Sequence, residues 1–439
     1  MTSGRLVLFF MAPALVVDAV NGWLIRVAPG SGVSVSYRIL LLAIILLWLA
    51  SHSRRALIWA CGAIGTIMLC TAYHSIYFKE VAWLTLDFHF QVRLITHFIY
   101  FLFLYTYSLS AIKSGQAEAA LKDIKMVVFF SYAFVVVNIV LGLLGVGYAA
   151  HRSSFAGSDE GYGGLGFFKA ANDVSAAFIV IAGIVQYYVW NSYKGYGKYL
   201  LISMVSIFAA IGLQSKVSLL GMMLVIGGIP LVSSGLLSGS FRLKKKPFIL
   251  VTGAVLVAVS LFLWLIFSEA AIVQRFMWFY EKRGLIYAVM TGRNYYVGMA
   301  WEVFDKNYLF PDILFGHGWS YFLSEMGRLY KADHLVEIDY FDIFMINGLA
   351  GVLLVGAIWG SYLRRAYRYA KLSAIGRAAL FINLLLLGIA AGSGHVLYSV
   401  LNGLFIAILQ VLPMLEYAVK SEEKRKIEAK VHANVAFST

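Results

Sequence analysis

Charged residues are scarce in this 439-residue chain. They make up 13% of it and hydrophobic residues 61%, with a mean hydropathy of +0.79. A soluble domain carries about 25% charged and about 45 to 50% apolar residues. A soluble globular protein is therefore excluded, and the composition indicates an integral membrane protein.

Several other features are missing. The only cysteines, Cys61 and Cys70, fall inside one apolar segment, so they cannot form an extracellular disulfide framework. Strand-type alternation is absent, which favours a helical bundle over a β-barrel. The N-terminal apolar segment lacks a small-residue cleavage site, so we expect it to be retained. No internal repeat supports an inverted-repeat transporter.

Apolar segments recur along the whole chain instead. Each is long enough to cross a hydrocarbon core of about 30 Å as a helix. We predict an all-α integral membrane protein with twelve transmembrane helices, at about residues 5–25, 37–51, 56–76, 92–112, 124–147, 168–190, 197–213, 217–235, 247–268, 341–363, 374–391 and 396–417. Helices 1–9 then occupy 1–267, a large loop 268–340, helices 10–12 residues 341–417 and a tail 418–439.

The net charge of +14 is explained by topology. Basic residues cluster in alternate loops and in the C-terminal tail, and the positive-inside rule places those loops and both termini in the cytoplasm. We therefore expect no nucleic-acid partner. On the opposite side lie a glycine-rich loop at 148–167 and the large loop at 268–340, whose start has the composition of an interfacial helix.

Polar residues within or beside the apolar segments gather on the non-cytoplasmic side. Lys216 either extends its amine to the lipid headgroups or binds a lipid-linked phosphate. Asn172 and Asp173 begin the sixth predicted helix, where they either cap it or line a substrate pocket. His395, near the outer end of the last helix, is either a packing histidine or a pocket residue. Asp18, within the first segment, has no obvious role.

Arg293 and a group of acids are the strongest candidates for chemistry. Arg293 stands at a helix start, where a cation opposes the helix dipole, so a nearby anion would explain it better. Arginine is suited to bidentate phosphate contacts. Glu337 and Asp339 are either first-turn acids of the tenth helix or proton acceptors, and His334 stands beside them.

The order of these motifs resembles the O-antigen polymerase and ligase family, the Wzy and WaaL type of membrane glycosyltransferase. The texts "TGRN", "FGHGWSYF" and "NGLAGVLL" occur in that order at 291–294, 315–322 and 347–354. The resemblance covers about residues 165–365. It implies a GT-C-like helical fold in the bacterial inner membrane with its active site on the periplasmic face.

The resemblance also implies roles for the cationic residues. Arg293 matches an arginine that resembles a ligand of the donor's pyrophosphate. Lys216 keeps a cation where many relatives have a Ser-Arg-Gly turn, and Arg283 and Arg275 are expected as helpers. Asn172 sits where relatives carry an asparagine at the start of a span.

The base is expected among three residues. Glu337 stands where the ligase type has a histidine, and Asp339 and His334 are the alternatives. No metal or cofactor is expected, because arginine and lysine supply the positive charge.

The implied reaction transfers a glycan from undecaprenyl diphosphate to a hydroxyl group. We expect a polymerase of lipid-linked repeat units, because the base position is acidic. The resemblance also implies a chain-length regulator as a partner, with the bilayer as surroundings. The alternatives are an O-antigen ligase acting on the lipid A core, a lipid-linked oligosaccharide flippase or other transporter, and a non-enzymatic scaffold.

Overall fold

The computed structural model describes residues 3–28, 32–152, 161–192, 196–236, 253, 271–331 and 335–436. Nearly all of these residues are helical. We number the helices α1 Ser3–Met11, α2 Ala14–Val27, α3 Val33–His52, α4 Arg54–His74, α5 Val81–Lys113, α6 Ala117–Leu143, α7 Ala171–Ser192, α8 Tyr196–Gly212, α9 Lys216–Ser233, α10 Ala271–Arg283, α11 Leu285–Met290, α12 Arg293–Asn307, α13 Phe310–Phe315, α14 Trp319–Tyr330, α15 Asp339–Ala370, α16 Ala374–Gly392 and α17 Val400–Ala436.

The predicted membrane architecture agrees with these helices at the level of fold class. Within the described ranges, ten helical segments are long and apolar enough to cross a membrane, the first of them formed by α1 and α2 together. Helix α8 coincides with another predicted segment but has only 17 residues. The segment predicted at 247–268 lies outside the described residues, so the number twelve stays a prediction. Helix α17 continues without interruption to Ala436, so the tail predicted at 418–439 is helical over its described part.

Helices α5, α7 and α17 form the centre of the bundle. Most of their apolar residues are buried, including Phe90, Phe178 and Phe405, whereas α1 to α4 keep most of theirs exposed. Helices that are hydrophobic all round are typical of such central positions. The central helices therefore hold the polar residues that they carry in fixed positions.

The glycine-rich loop forms a hairpin of β1 Tyr148–Arg152 and β2 Gly161–Gly166, paired antiparallel. A Cβ at Gly164 would lie 2.4 Å from the Leu143 backbone nitrogen, so only glycine fits there. The Asn138 side chain completes the contact, since its Nδ2 donates to the Leu165 carbonyl at 2.6 Å. The glycine-rich hairpin therefore approaches the backbone of helix α6 closely.

The described part of the large loop, α10 to α14, is joined to the membrane helices by buried polar contacts. His74 lies 2.8 Å from both the Asp87 carboxylate and the Phe315 carbonyl. Asp87 also accepts the Trp319 backbone N–H at 2.7 Å. The hydroxyls of Tyr73 and Tyr77 both donate to Asp312 on α13. These bonds fix α13 and α14 against α4 and α5.

Two of the motifs quoted above pack directly on each other. Gly318 donates its backbone N–H to the Ile346 carbonyl at 3.0 Å. Helix α15 is interrupted at Gly348, with φ 58° and ψ −157°, and a Cβ there would lie 2.5 Å from the Leu314 carbonyl carbon. The glycines of both motifs therefore serve backbone packing, which places the start of α15 beside the loop helices.

Candidate functional site

Arg293 and Glu337 form an ion pair at the end of the bundle where α7 and α15 begin. The Arg293 Nη2 atom donates to Glu337 Oε2 at 2.5 Å. The side chain of Arg293 is 12% exposed and that of Glu337 is 35% exposed. The cation is thus largely enclosed, while its carboxylate partner is partly exposed.

His395 links this pair to a second carboxylate. It lies between α16 and α17, with its Nε2 atom 3.5 Å from Glu337 Oε1 and its Nδ1 atom 3.7 Å from Asp173 Oδ1. Asp173 lies in turn 3.5 Å from Arg93 Nη2 on α5. We call Arg293, Glu337, His395, Asp173 and Arg93 the charge row, because cations and anions alternate along it.

The charge row sets the ionisation of its members outside the membrane helices. Burial by itself would raise the pKa of the Glu337 carboxyl, but His395 and Arg293 outweigh it and lower the pKa to about 2. Burial would likewise lower the pKa of His395, but the carboxylates of Glu337, Asp173 and Asp339 raise it to about 9. At neutral pH, Glu337 is therefore ionised and His395 is an imidazolium.

Several polar atoms of the charge row are incompletely bonded. Arg293 Nε, Asp173 Oδ1 and His395 Nδ1 are buried without a hydrogen-bond partner among the described residues. The ion-pair distances of 3.5 to 3.7 Å around His395 and Asp173 exceed the roughly 2.7 to 2.9 Å of a charge-assisted hydrogen bond. Buried polar groups are nearly always bonded, so these atoms are positioned to meet a polar ligand.

Backbone strain is concentrated at the same place. In the described part of the chain, five non-glycine residues have positive φ, and Glu337 and His395 are two of them, each at 62°. Thr291 and Gln214, two residues before Arg293 and Lys216 respectively, are two more. Left-handed backbone at such residues costs on the order of 1 to 3 kcal/mol each and is typical of functional sites.

Asp339 and Asp342 have structural contacts instead. The Asp339 carboxylate is fully buried and accepts the backbone N–H groups of His395, Val396 and Leu397 at 2.5, 2.7 and 2.8 Å. Asp342, also fully buried, accepts the Val336 N–H at 3.1 Å. Asp339 thereby fixes the turn that carries His395. Of the predicted bases that the structure describes, Glu337 is the accessible one.

The other predicted residues take different positions. Lys216 Nζ donates to the Ala288 carbonyl at 2.7 Å and lies 3.4 Å from Thr291 Oγ1, so it supports the turn just before Arg293. Arg283 stacks on Tyr295, with its guanidinium carbon 3.8 Å from the ring centroid.

Three predicted site residues remain, namely Asn172, His334 and Arg275. Asn172 is half-buried beside Asp173. His334 and the side chain of Arg275 lie outside the described residues.

Arg93 is the member of the charge row that the sequence analysis missed. The sequence does indicate it, because an arginine near the start of an apolar segment costs free energy in the membrane unless an acid neutralises it. Asp18 is explained in the same way, because Arg38 Nη2 contacts both of its oxygens at 2.6 Å.

The described residues hold no group of three or more histidine, cysteine, aspartate or glutamate side chains arranged to bind a metal ion. In the charge row, each carboxylate lies beside at least one cation of the protein. The buried Asp339 carboxylate also lies beside His395, so Arg293, Arg93 and protonated His395 face three carboxylates.

The fold and the site define a multi-pass helical membrane protein with a charged, partly open site at one end of its bundle. No protein-family model matches the chain, and no curated protein sequence is similar to it.

Proposed function

We propose that this protein polymerises oligosaccharide repeat units carried on undecaprenyl diphosphate. The observation that supports this most strongly is the Arg293–Glu337 pair, in which an enclosed guanidinium meets a partly exposed carboxylate. Glycan transfer from a diphosphate carrier requires both groups: a cation for the leaving group and a base for the attacking hydroxyl. The further expectations of twelve helices, a periplasmic site and an inner-membrane location belong to this proposal.

Donor binding would rearrange the pair. A diphosphate brings at least two negative charges to Arg293 and competes with the single charge of Glu337. The unpartnered Arg293 Nε then allows a bidentate contact together with a terminal nitrogen. Once Arg293 turns to the diphosphate, Glu337 loses a principal cause of its low pKa and becomes a stronger base.

The reaction step then balances as follows. The acceptor hydroxyl oxygen forms a bond to the anomeric carbon of the donor glycan, and its proton passes to Glu337. The bond between that carbon and the phosphate oxygen breaks, and its electron pair remains on the diphosphate. Arg293 stabilises this negative charge, while the His395 imidazolium keeps Glu337 in place.

Two other functions lead to different expectations. A ligase would use the same donor chemistry but transfer the glycan to the lipid A core. A flippase or other transporter is favoured by a specific observation, the partly buried Asp18–Arg38 pair on membrane helices, because such pairs mark transport pathways. A transporter, however, needs no strained carboxylate next to an arginine at one end of the bundle.

The test uses a strain deleted for this gene and complemented with wild type, Arg293→Ala or Glu337→Ala. Lys306→Ala, a change at an exposed residue of α12, is the matched control. We expect the deletion to leave lipid A core with a single repeat unit, and only wild type and the control to restore the long-chain ladder on a gel.

The contrary outcomes are distinct. Bare core with long chains still on the carrier lipid identifies a ligase. Repeat units trapped on the cytoplasmic face identify a flippase. A normal ladder with both site variants refutes the assignment of Arg293 and Glu337.

A further inference from the structure

His74, the last residue of α4, holds the turn between α13 and α14 through both nitrogens of its ring. Its Nδ1 atom lies 2.8 Å from Asp87 Oδ2 on α5, and its Nε2 atom lies 2.8 Å from the Phe315 carbonyl oxygen. The side chains of His74 and Asp87 are both 0% exposed. One buried histidine thus joins two membrane helices to the large loop.

The hydrogen bonds of His74 require one proton more than a neutral imidazole and a carboxylate provide. A carbonyl oxygen only accepts, so Nε2 must donate to Phe315. A neutral ring would then present an unprotonated Nδ1 to an ionised Asp87, and two buried acceptors 2.8 Å apart would have no proton between them. A further proton therefore lies on His74 Nδ1 or on Asp87 Oδ2. We call it the shared proton.

The backbone of the turn lies directly on this pair. Asp87 Oδ1 accepts the Trp319 N–H at 2.7 Å. A Cβ atom at Gly318 would lie 2.7 Å from Asp87 Oδ1 and 3.0 Å from His74 Nδ1, so only a glycine allows the approach. The position of the turn thus depends on the hydrogen bonds of the pair.

The same turn contacts α15. Gly318 donates its backbone N–H to the Ile346 carbonyl at 3.0 Å, and a Cβ atom at Gly316 would lie 2.1 Å from that carbonyl oxygen. Ile346 stands just before the break of α15 at Gly348. Helix α15 begins two residues after Glu337. A movement of the turn would therefore reach the helix that follows Glu337.

Other titratable side chains surround the pair on both sides. They are Cys70, Tyr73 and Tyr77 from α4 and the turn after it, and Asp312 and His317 from the loop. Both tyrosine hydroxyls donate to Asp312, so they make no bond to the pair. Burial lowers the pKa of His317, so at neutral pH its ring adds no positive charge next to His74.

We propose that the shared proton makes this pair a pH-sensitive clasp, which holds residues 315–319 of the large loop on α4 and α5. Without that proton, His74 cannot donate to both oxygens, and one of the two contacts is lost. Opening of the turn exposes His74 to water, where a histidine releases its proton near pH 6.5. The clasp therefore weakens as the pH rises above about 6.5. This inference does not depend on the proposed function.

Hydrogen exchange measures the clasp without requiring turnover. The purified full-length protein in detergent is studied between about pH 6 and about pH 10, the range in which a histidine and its ion pairs titrate. The readout is the protection of the peptide 315–322, which contains the bonded amides of Gly318 and Trp319.

Asp87→Asn is the central variant, because it removes the need for the shared proton and keeps every bond. The asparagine oxygen accepts the Trp319 N–H, and its NH2 group donates to Nδ1 of a neutral His74. The ring then still donates from Nε2 to Phe315. Asp87→Asn should therefore keep the clasp closed at every pH.

In wild type we expect the protection, corrected for the intrinsic exchange rate, to fall with pH above about 6.5. The fall should reach up to about tenfold per pH unit, the limit for release of one proton on opening. His74→Gln should be weakly protected at every pH. His317→Gln, the matched control at the neighbouring buried histidine, should keep the wild-type pH dependence. Size-exclusion profiles and circular dichroism verify that each variant is folded.

Three outcomes overturn the inference, and none of them affects the proposed function. Wild-type protection that does not change with pH would show that no proton is released on opening. An Asp87→Asn protein without protection at any pH would contradict the hydrogen-bond count. Loss of the pH dependence in His317→Gln but not in Asp87→Asn would assign the proton to the pair of His317 and Asp312 instead.

Discussion

The substitution Asp339→Asn separates structure from chemistry in the acidic segment. Asp339 Oδ2 accepts two backbone N–H groups and Oδ1 accepts a third, all within the turn that carries His395. Asparagine retains one acceptor oxygen and replaces the other with an NH2 group, which faces a backbone donor. At least one buried N–H is then left without an acceptor.

The expected loss of stability follows from these bonds. A hydrogen bond to a charged group contributes about 1.5 to 3 kcal/mol, and a buried donor left unpaired costs about 1 to 3 kcal/mol. We therefore expect Asp339→Asn to lower the free energy of unfolding by about 2 to 4 kcal/mol. Glu337→Gln should also lower stability, because it leaves the largely enclosed Arg293 without its anion.

The assay measures two quantities for each variant. Unfolding free energies come from denaturant titration in mixed micelles, and activity from the long-chain ladder in complemented cells. Asp339→Asn should be less stable and lose activity in proportion to the folded protein that remains. Glu337→Gln should lose activity beyond what the remaining folded protein accounts for. An Asp339→Asn protein with wild-type stability and no activity would refute the structural role of Asp339.

Three further predictions concern the same site and its supports. The raised pKa of His395 stabilises the fold fully below about pH 6.5. This stabilisation is lost as the pH rises through about 9. The free energy of unfolding, measured from pH 6 to 10, should therefore fall more steeply in wild type than in His395→Gln. Gly348→Ala should lower the free energy of unfolding by about 3 kcal/mol or more. The backbone at Gly348, with φ 58° and ψ −157°, and its contact with Leu314 both exclude a side chain. Wild-type thermal stability in this variant would contradict the packing of the two glycine motifs. Glycan-transfer activity should persist in excess EDTA, because Arg293 supplies the charge that a metal would otherwise supply. If chelation abolished the activity and magnesium restored it, a metal-independent step would be excluded.

The membrane helices were predictable because their signal is local. Eleven of the twelve predicted apolar segments coincide with helices, since about 20 apolar residues in a row suffice to identify a span. The ends were less predictable. Helix α5 begins at Val81, eleven residues before the predicted segment, because its first turns pack polar residues such as Asp87 against the loop helices.

The site was predictable only in its parts. Arg293, Glu337, Asp173 and His395 were all candidates from local arguments, but their contacts join residues separated by 44 to 222 positions, and these depend on helix packing. Three acids in six residues looked alike in sequence. Burial distinguishes them, because Asp339 and Asp342 are enclosed while Glu337 is partly open.

The resting arrangement of Arg293 explains why an acid is retained at the membrane boundary. A guanidinium that is 12% exposed cannot remain there without an anion, since an unpaired charge in such surroundings costs several kcal/mol. Glu337 supplies that anion, and its strained backbone and partial exposure make the contact one that a ligand can replace. Under the proposed function, the same carboxylate first stabilises the empty site and then, released by the donor diphosphate, accepts the acceptor's proton. Removing Glu337 should therefore weaken catalysis and also alter donor binding, because Arg293 would no longer have an internal competitor.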